Sequence, residues 1–310
     1  MSLDKDLAGL SPERGTALTI GVFDGVHLGH QYLLSRLREH ARQRGLLSAV
    51  ITFRQHPEET LSGQNRLSYL TTLPQRTRLI KEGGIDEVVV LSFTPELANL
   101  GARQFIDLLQ KRLKMEVLII GPDFALGKNR EGDTDTLRAL GQDMGFTVIL
   151  IPPIIKNGEV VSSTAIRNAL AEGDMKRVYR LAGRYYNVPG RVVPGTHTGV
   201  QLGFPTANLE PDPEQGLPAD GVYVTWAYID NKSYPSMTKI GRRPSFGDNQ
   251  LTVEVYILDY QGDLYGREMS IDVVERLRDV IKFDTAEDLK KQIAKDVKQG
   301  RAILTARGRE

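Results

Sequence analysis

No cysteine occurs among the 310 residues, which excludes disulfides, zinc-thiolate centres and iron–sulfur clusters built from this chain. The absence fits a reducing compartment. No stretch reaches the roughly 18 uninterrupted apolar residues that would suggest a membrane span. The opening MSLDKDLAGLSPERG carries acidic side chains and no apolar segment of signal-peptide length. The expectation is a cytoplasmic protein with no membrane partner. An excess of one charge is also missing: 40 Lys and Arg face 39 Asp and Glu, a net +1. Nucleic acid is therefore not an expected partner, although a local basic site can still hold a phosphate. Histidines number only five and none forms HExxH, so a metal hydrolase would need His27, His30 and a distant third ligand.

What is present suits a folded enzyme. Apolar residues at 40% and charged residues at 25% can build a full core, and a chain of this length is expected to form two domains. Residues Ala17 to Val22, LLSAVITF, EVVVLSF, MEVLIIG and FTVILIPP read as strands. Helical spacing separates them at Gln31 to Gly45, Thr72 to Gly83, Ala102 to Leu113 and Asp135 to Gly145. That alternation predicts an α/β domain with a mostly parallel, Rossmann-like sheet covered on both faces. Ser162 is expected to cap a helix through Leu170, and Asp174 opens another toward Ala182.

The texture then changes. From GRYYNVPGRVV onward short strands alternate with glycine and proline turns: GVYVTWAYI, SYPSMTKI, LTVEVYILDY and REMSIDVVERL, ending in the helical DTAEDLKKQIAKDVKQGRAIL. This is the pattern of a small barrel or sandwich with a terminal helix. The expected boundary lies between residues 184 and 185, giving domains 1–184 and 185–310.

Two constellations carry chemistry. GVFDGVHLGHQ at residues 21–31 joins a strand to a helix, supplying a glycine-rich turn and free amides suited to phosphate. His27 and His30, one helical turn apart, can face one ligand and stabilise charge as an α-phosphorus is attacked. Gly29 leaves room for a base or ribose to approach the backbone, and Asp24 is a candidate to orient a ligand or help hold magnesium. VVSSTAIRNAL at residues 160–170 adds hydroxyls and amides at a helix start, with Arg167 one turn later. Alone, the histidine pair reads as packing and the second segment as a cap with a surface arginine. Together, on one sheet, they describe a nucleotide site.

In the C-terminal part, LGFPTANL is a turn-rich connector. Thr206 and Asn208, two apart, point the same way if extended and can offer oxygens to magnesium and ATP phosphates; local turn bonding is the plainer role. Glu254, out of phase with Val253 and Val255, can accept a proton from a hydroxyl nucleophile if its face lines a pocket. An exposed edge glutamate is the alternative.

GVFDGVHLGH resembles the HxGH signature of nucleotidylyltransferases. With SSTAIR, TFRQHP (52–57) and GPDFALGKNREGD (121–133) the chain resembles the bacterial bifunctional riboflavin kinase/FAD synthetases, and PTAN, Glu254 and DYQGDLYGR extend the resemblance across nearly its whole length. The resemblance implies an ATP site around Gly21, Phe23, Asp24, His27, Gly29 and His30, closed by Ser162, Ser163, Thr164 and Arg167. It places His56, Pro57, Asp123 and Phe124 around the flavin. It further implies a six-stranded antiparallel barrel in which Gly203, Thr206 and Asn208 bind Mg-ATP, with Mg2+ at the last two, and Glu254 is the base. Riboflavin would be phosphorylated to FMN and FMN adenylylated to FAD with release of pyrophosphate, by a monomer or transient homo-oligomer.

Departures lie in the kinase part. VPGTHTGVQLG lacks a basic residue often found there, leaving His197 and backbone amides. Lys239 stands where asparagine is common, Arg242 where threonine is frequent, and Tyr256 at a position often histidine. Full adenylylation is thus expected ahead of full-strength phosphorylation. The alternatives are an adenylyltransferase with an impaired kinase, a related nucleotidylyltransferase for another phosphorylated substrate, and a non-catalytic flavin-binding regulator.

Overall fold

A computed structural model of the chain describes residue 6 and residues 12–62, 68–195, 203–242 and 251–307, the side chains at 60–62 and 242 excepted. His197 and the rest of residues 196–202 lie outside the described residues, as does the Arg242 side chain. The chain divides into two compact units, residues 1–163 and 164–310.

The first unit holds a five-stranded sheet of β1 (Thr16–Ile20), β2 (Leu47–Phe53), β3 (Glu87–Leu91), β4 (Met115–Ile120) and β5 (Thr147–Leu150), in the order β3-β2-β1-β4-β5. Every pairing is parallel. Both faces are buried, which is why the strands read as continuous apolar runs. Leu18 and Ile20 pack with Phe105, Ile106 and Leu109 of one helix (Ala102–Leu113). Ala17, on the other face, packs with Leu34, Leu37 and Ala41 of α1 (Leu28–Arg44). Burying each such leucine or isoleucine contributes about 1.5–3 kcal/mol.

The strand order reverses between β1 and β4, and open parallel sheets bind ligands beyond the strand ends at such a switch point. The loops there are 21–27 and 121–127, the two segments that the sequence marks. A short hairpin of β6 (Ile155–Lys156) and β7 (Glu159–Val160) follows β5. Its turn is Asn157 and Gly158, both at positive φ (51° and 78°), as a tight hairpin turn requires.

The second unit contains helices Ser163–Glu172 and Met175–Ala182, the latter capped by Asp174 and closed at Gly183. Six antiparallel strands follow: β8 (Tyr186–Val193), β9 (Thr206–Pro211), β10 (Gly221–Ile229), β11 (Lys232–Arg242), β12 (Leu251–Ile257) and β13 (Glu268–Arg278). They close a barrel in the order β10-β11-β12-β9-β8-β13. The expected turn-rich connector is confined to residues 203–205: the strand β9 begins at Thr206 and pairs with β12 and β8, so Thr206 and Asn208 lie on extended backbone. A terminal helix, Ala286–Ala306, packs Leu304 and Val297 on Val222, Val224, Met237 and Val274. Gly300 permits this approach, since a β-carbon there would collide with the Met237 sulfur.

Candidate functional site

Loop 21–27 departs sharply from ordinary backbone. Phe23, Gly25 and Val26 all take positive φ (53°, 78° and 35°), which for a phenylalanine and a valine is costly and is held by what surrounds them. Phe23 and Val26 are buried in the core. Both Asp24 oxygens are engaged: Oδ1 accepts from the Leu70 and Thr71 amides at 2.9 and 3.1 Å and Oδ2 from the Leu70 amide at 3.0 Å. The carboxylate is buried against this segment and holds the loop. Its carbonyl accepts from the Ser163 hydroxyl at 2.9 Å, joining the last residue of the first unit to the histidine loop.

His27 is the N-cap of α1, its Nδ1 accepting from the His30 amide at 3.3 Å. With Nδ1 accepting in this capping bond, the ring nitrogen able to donate is Nε2. The two imidazoles stack at 3.7 Å between centroids with 16° between planes, and Phe23 meets His30 edge-on at 5.1 Å. A β-carbon at Gly29 would press on the His27 ring at 3.2 Å and on the Val161 carbonyl at 3.3 Å. Glycine is thus required here by the histidine itself, beyond any room left for a ligand.

Beside this loop lies a cavity of about 660 Å³ whose walls include Gly21, His56, Pro57, Asp123, Phe124 and Arg130. The structure brings both sequence-marked flavin segments to one cavity, with Gly21 linking it to the histidine loop. Ser162 immediately precedes the Ser163–Glu172 helix; Thr164 is exposed and Arg167 half-buried on that helix, within the second unit.

The barrel carries a cavity of about 560 Å³ lined by Thr206, Lys239, Glu254 and Tyr256 and, from the terminal helix and the segment before it, Phe283, Leu289 and Asp296. Val253 and Val255 are buried while Glu254 between them reaches the cavity, as strand alternation demands. Register aligns Lys239, Glu254 and Asn208 in one row across β11, β12 and β9, with Met237, Tyr256 and Thr206 two residues away. Lys239 Nζ lies 3.2 Å from Glu254 Oε1. Tyr256 meets Phe204 edge-on at 5.4 Å, and Gly203, at φ 83°, turns the chain into this segment.

Thr206 and Asn208 fit a magnesium ion as oxygen donors. A β-carbon at Gly195 would collide with the Asn208 carboxamide, so that glycine keeps a cradle for the amide. Among the described residues no group of three or more His, Asp or Glu could hold a metal. The terminal helix was not foreseen as a cavity wall. Its signal was available in the spacing of Leu289, Ile293, Asp296, Gly300 and Leu304, one helical face. Tyr69 and Arg76, which support the first site, belong to no motif.

Comparison with known proteins agrees with this geometry. A family model for FAD synthetase matches residues 10–165 and one for riboflavin kinase matches residues 182–304. A bifunctional riboflavin kinase/FMN adenylyltransferase of Pseudomonas fluorescens is 39% identical, covering 98% of each chain. The protein of that name from Escherichia coli K12 is 37% identical, covering 96% of each. Among solved structures, a Streptococcus pneumoniae protein described as a macrolide-efflux protein superposes with a TM-score of 0.89 at 29% identity, covering 95% of this chain and 96% of its own. Among the described residues no helix of the present chain is long and apolar enough to cross a membrane. With both family models matched in order and full-length relatives well above 30% identity, the chain belongs to the bifunctional riboflavin kinase/FMN adenylyltransferase family.

Proposed function

We propose that this chain makes FAD in two steps, riboflavin and ATP giving FMN and ADP in the barrel unit, then FMN and ATP giving FAD and pyrophosphate in the sheet unit. The observation that carries the reading is the adjacency of the stacked His27–His30 pair, through Gly21, to the cavity holding His56, Pro57, Asp123 and Phe124. Chemically the modules are assigned to 1–184 and 185–310; the two family models leave residues 166–181 between them.

In the adenylylation, an FMN phosphate oxygen attacks the α-phosphorus of ATP and the bond to pyrophosphate breaks. The phosphate is already ionised near neutral pH, so the site must align and neutralise rather than deprotonate. His27 and His30 donate to the phosphates. Ser162, Ser163, Thr164 and Arg167 close the nucleotide side by family resemblance. In the phosphorylation, Glu254 takes the proton of the riboflavin 5′-hydroxyl as its oxygen attacks the γ-phosphorus, and ADP leaves. Gly203 shapes the approach to the phosphates, and Thr206 and Asn208 would hold Mg2+, which when bound neutralises phosphate charge. A cytoplasmic setting belongs to the same proposal.

One observation favours a second reading with a weaker kinase, since Lys239 occupies the carboxylate that must take the proton. Chromatography of products from riboflavin with Mg-ATP, and separately FMN with Mg-ATP, tests both. FMN then FAD in the first reaction supports the full reading. FAD only in the second supports the impaired kinase, and no conversion in either overturns both.

A further inference from the structure

Residues 69–76 bond to both sides of the adenylylation site. On the nucleotide side, Leu70 and Thr71 donate their amides to Asp24, and Thr71 Oγ1 accepts from the Gly25 amide at 3.0 Å. On the flavin side, the Tyr69 hydroxyl accepts from the His56 amide at 2.6 Å and donates to Glu59 Oε2 at 3.0 Å. Arg76 Nη2 donates to the Phe53 carbonyl at 2.7 Å. His56 and Phe53 both line the flavin cavity.

This strap is buried and electrically balanced. Tyr69 is 6% exposed, and burial, aided by Glu59, pushes its phenol up to about 12, so the hydroxyl remains able to accept and donate at once. Arg76 is 1% exposed; its Nε and Nη1 have no hydrogen-bond partner among the described residues. Burial works against that charge and the attraction of Asp24 opposes the loss. The strands below are joined directly, Gly21 amide to Ile51 carbonyl at 3.0 Å and Thr52 hydroxyl to Val22 carbonyl at 2.9 Å. Beyond the strand ends, the Tyr69–Arg76 segment reaches both Asp24 and His56.

We propose that Tyr69 is a positioning residue that couples the two substrates of adenylylation, keeping the flavin side of the site in register with the nucleotide loop. Fixing the histidine loop fixes Asp24, and through Leu70 and Thr71 it fixes Tyr69 and the His56 amide. Ordering either side lowers the cost of ordering the other, and such coupling is reciprocal. The proposal rests on the reading of the first unit as an FMN adenylyltransferase.

The test is a grid of initial rates of FAD formation over FMN and ATP concentrations, for the full-length protein and for Tyr69→Phe and Thr71→Val, which cut the strap at opposite ends. FAD formation reads the adenylylation site alone, and a wild-type-like far-UV circular dichroism spectrum with a cooperative thermal unfolding transition in the same preparations certifies that each variant is folded. Expected for the wild type is a KM for FMN that falls at least about five-fold between low and saturating ATP, the small end of typical couplings. The KM for ATP should respond to FMN likewise. In both variants the dependence should shrink to within about two-fold, a change that mere loosening of the fold would not produce. Folded variants retaining the wild-type dependence, or a wild type with none, would overturn the proposal alone. Absence of FAD in the wild type would overturn the adenylyltransferase reading and the proposal together.

Discussion

Lys239 and Glu254 face each other across neighbouring strands of the barrel, Nζ to Oε1 at 3.2 Å, directly opposite in register. Both line the kinase cavity. On the proposed mechanism the ammonium competes with the riboflavin hydroxyl for the oxygen that is to receive the proton. The side chains are 37% and 21% exposed, so the pair contributes about 0.2–1 kcal/mol. Replacing Lys239 with Met should therefore raise the rate of FMN formation by up to about five-fold and leave FAD formation from FMN unchanged. Steady-state kinetics of both reactions check this. A fall in the kinase rate would instead assign the lysine to the phosphates.

Glu254→Gln preserves the shape of the row Lys239, Glu254, Asn208 but cannot take a proton. Loss of a general base costs about 10²–10⁴-fold, so FMN formation should drop by that amount while adenylylation of supplied FMN continues. Product chromatography with riboflavin and with FMN separates the two rates. An unchanged kinase rate in the folded variant would remove Glu254 from the reaction.

The sheet unit was legible because strands buried on both faces carry unbroken apolar runs, and Gly221–Ile229 was read at its full length as GVYVTWAYI. What escaped were elements made by context. Pro57–Ser62 and Pro95–Ala98 are single helical turns in segments too short for periodicity to register. The hairpin at Asn157–Gly158 did carry its asparagine–glycine signal. At the sites, the motifs located the histidines and Glu254, but no pattern tells which way a carboxylate turns. Asp24 faces the Leu70 and Thr71 amides, from a segment 46 residues downstream. Lys239 stood out as a departure, and only strand register shows that it meets Glu254.

The stacked histidines divide their tasks. His27 caps the helix through Nδ1 and is 5% exposed, so His27→Ala removes both a cap and a phosphate donor. His30 is anchored by the stack and by Phe23. His30→Ala should lower FAD formation about 10²–10³-fold, the usual cost of one preorganised donor to developing charge, with little change in thermal unfolding. His27→Ala should lower both. Rates and unfolding midpoints of the two variants, measured together, distinguish the roles.

Asp86 links stability to pH in the first unit. Burial acts to raise its carboxyl, but the Ser48 hydroxyl at 2.7 Å and amide at 2.8 Å, with Arg14 and Lys81 nearby, bring it below the usual range. A folded value below the unfolded one stabilises above the unfolded carboxyl range and is lost as pH falls through the folded value. Ser48→Ala should therefore lower the urea midpoint at pH 7, and the difference from wild type should shrink toward pH 3. A difference independent of pH would assign the loss to packing alone.

The terminal helix is held to the barrel by a buried ion pair. Arg278 at the end of β13 approaches Asp296 with Nε at 3.0 Å and Nη2 at 2.7 Å from Oδ2, and Gln292 donates to Oδ1 at 2.8 Å. The Asp296 side chain is 7% exposed and that of Arg278 20%. Removing Asp296 takes this partner from the half-buried Arg278 guanidinium, at a cost below the roughly 3–5 kcal/mol of breaking a fully buried pair. The same helix walls the kinase cavity through Leu289 and Ile293, so the loss falls on riboflavin binding as well as on stability. Asp296→Ala should unfold the barrel unit at lower urea and raise the KM for riboflavin, with FAD formation from FMN persisting at urea concentrations where FMN formation has ceased. Asp296→Asn, which drops the charge but keeps one accepting oxygen, should fall between. Following both reactions across a urea series measures this, and simultaneous loss of the two activities would show that the units do not unfold separately.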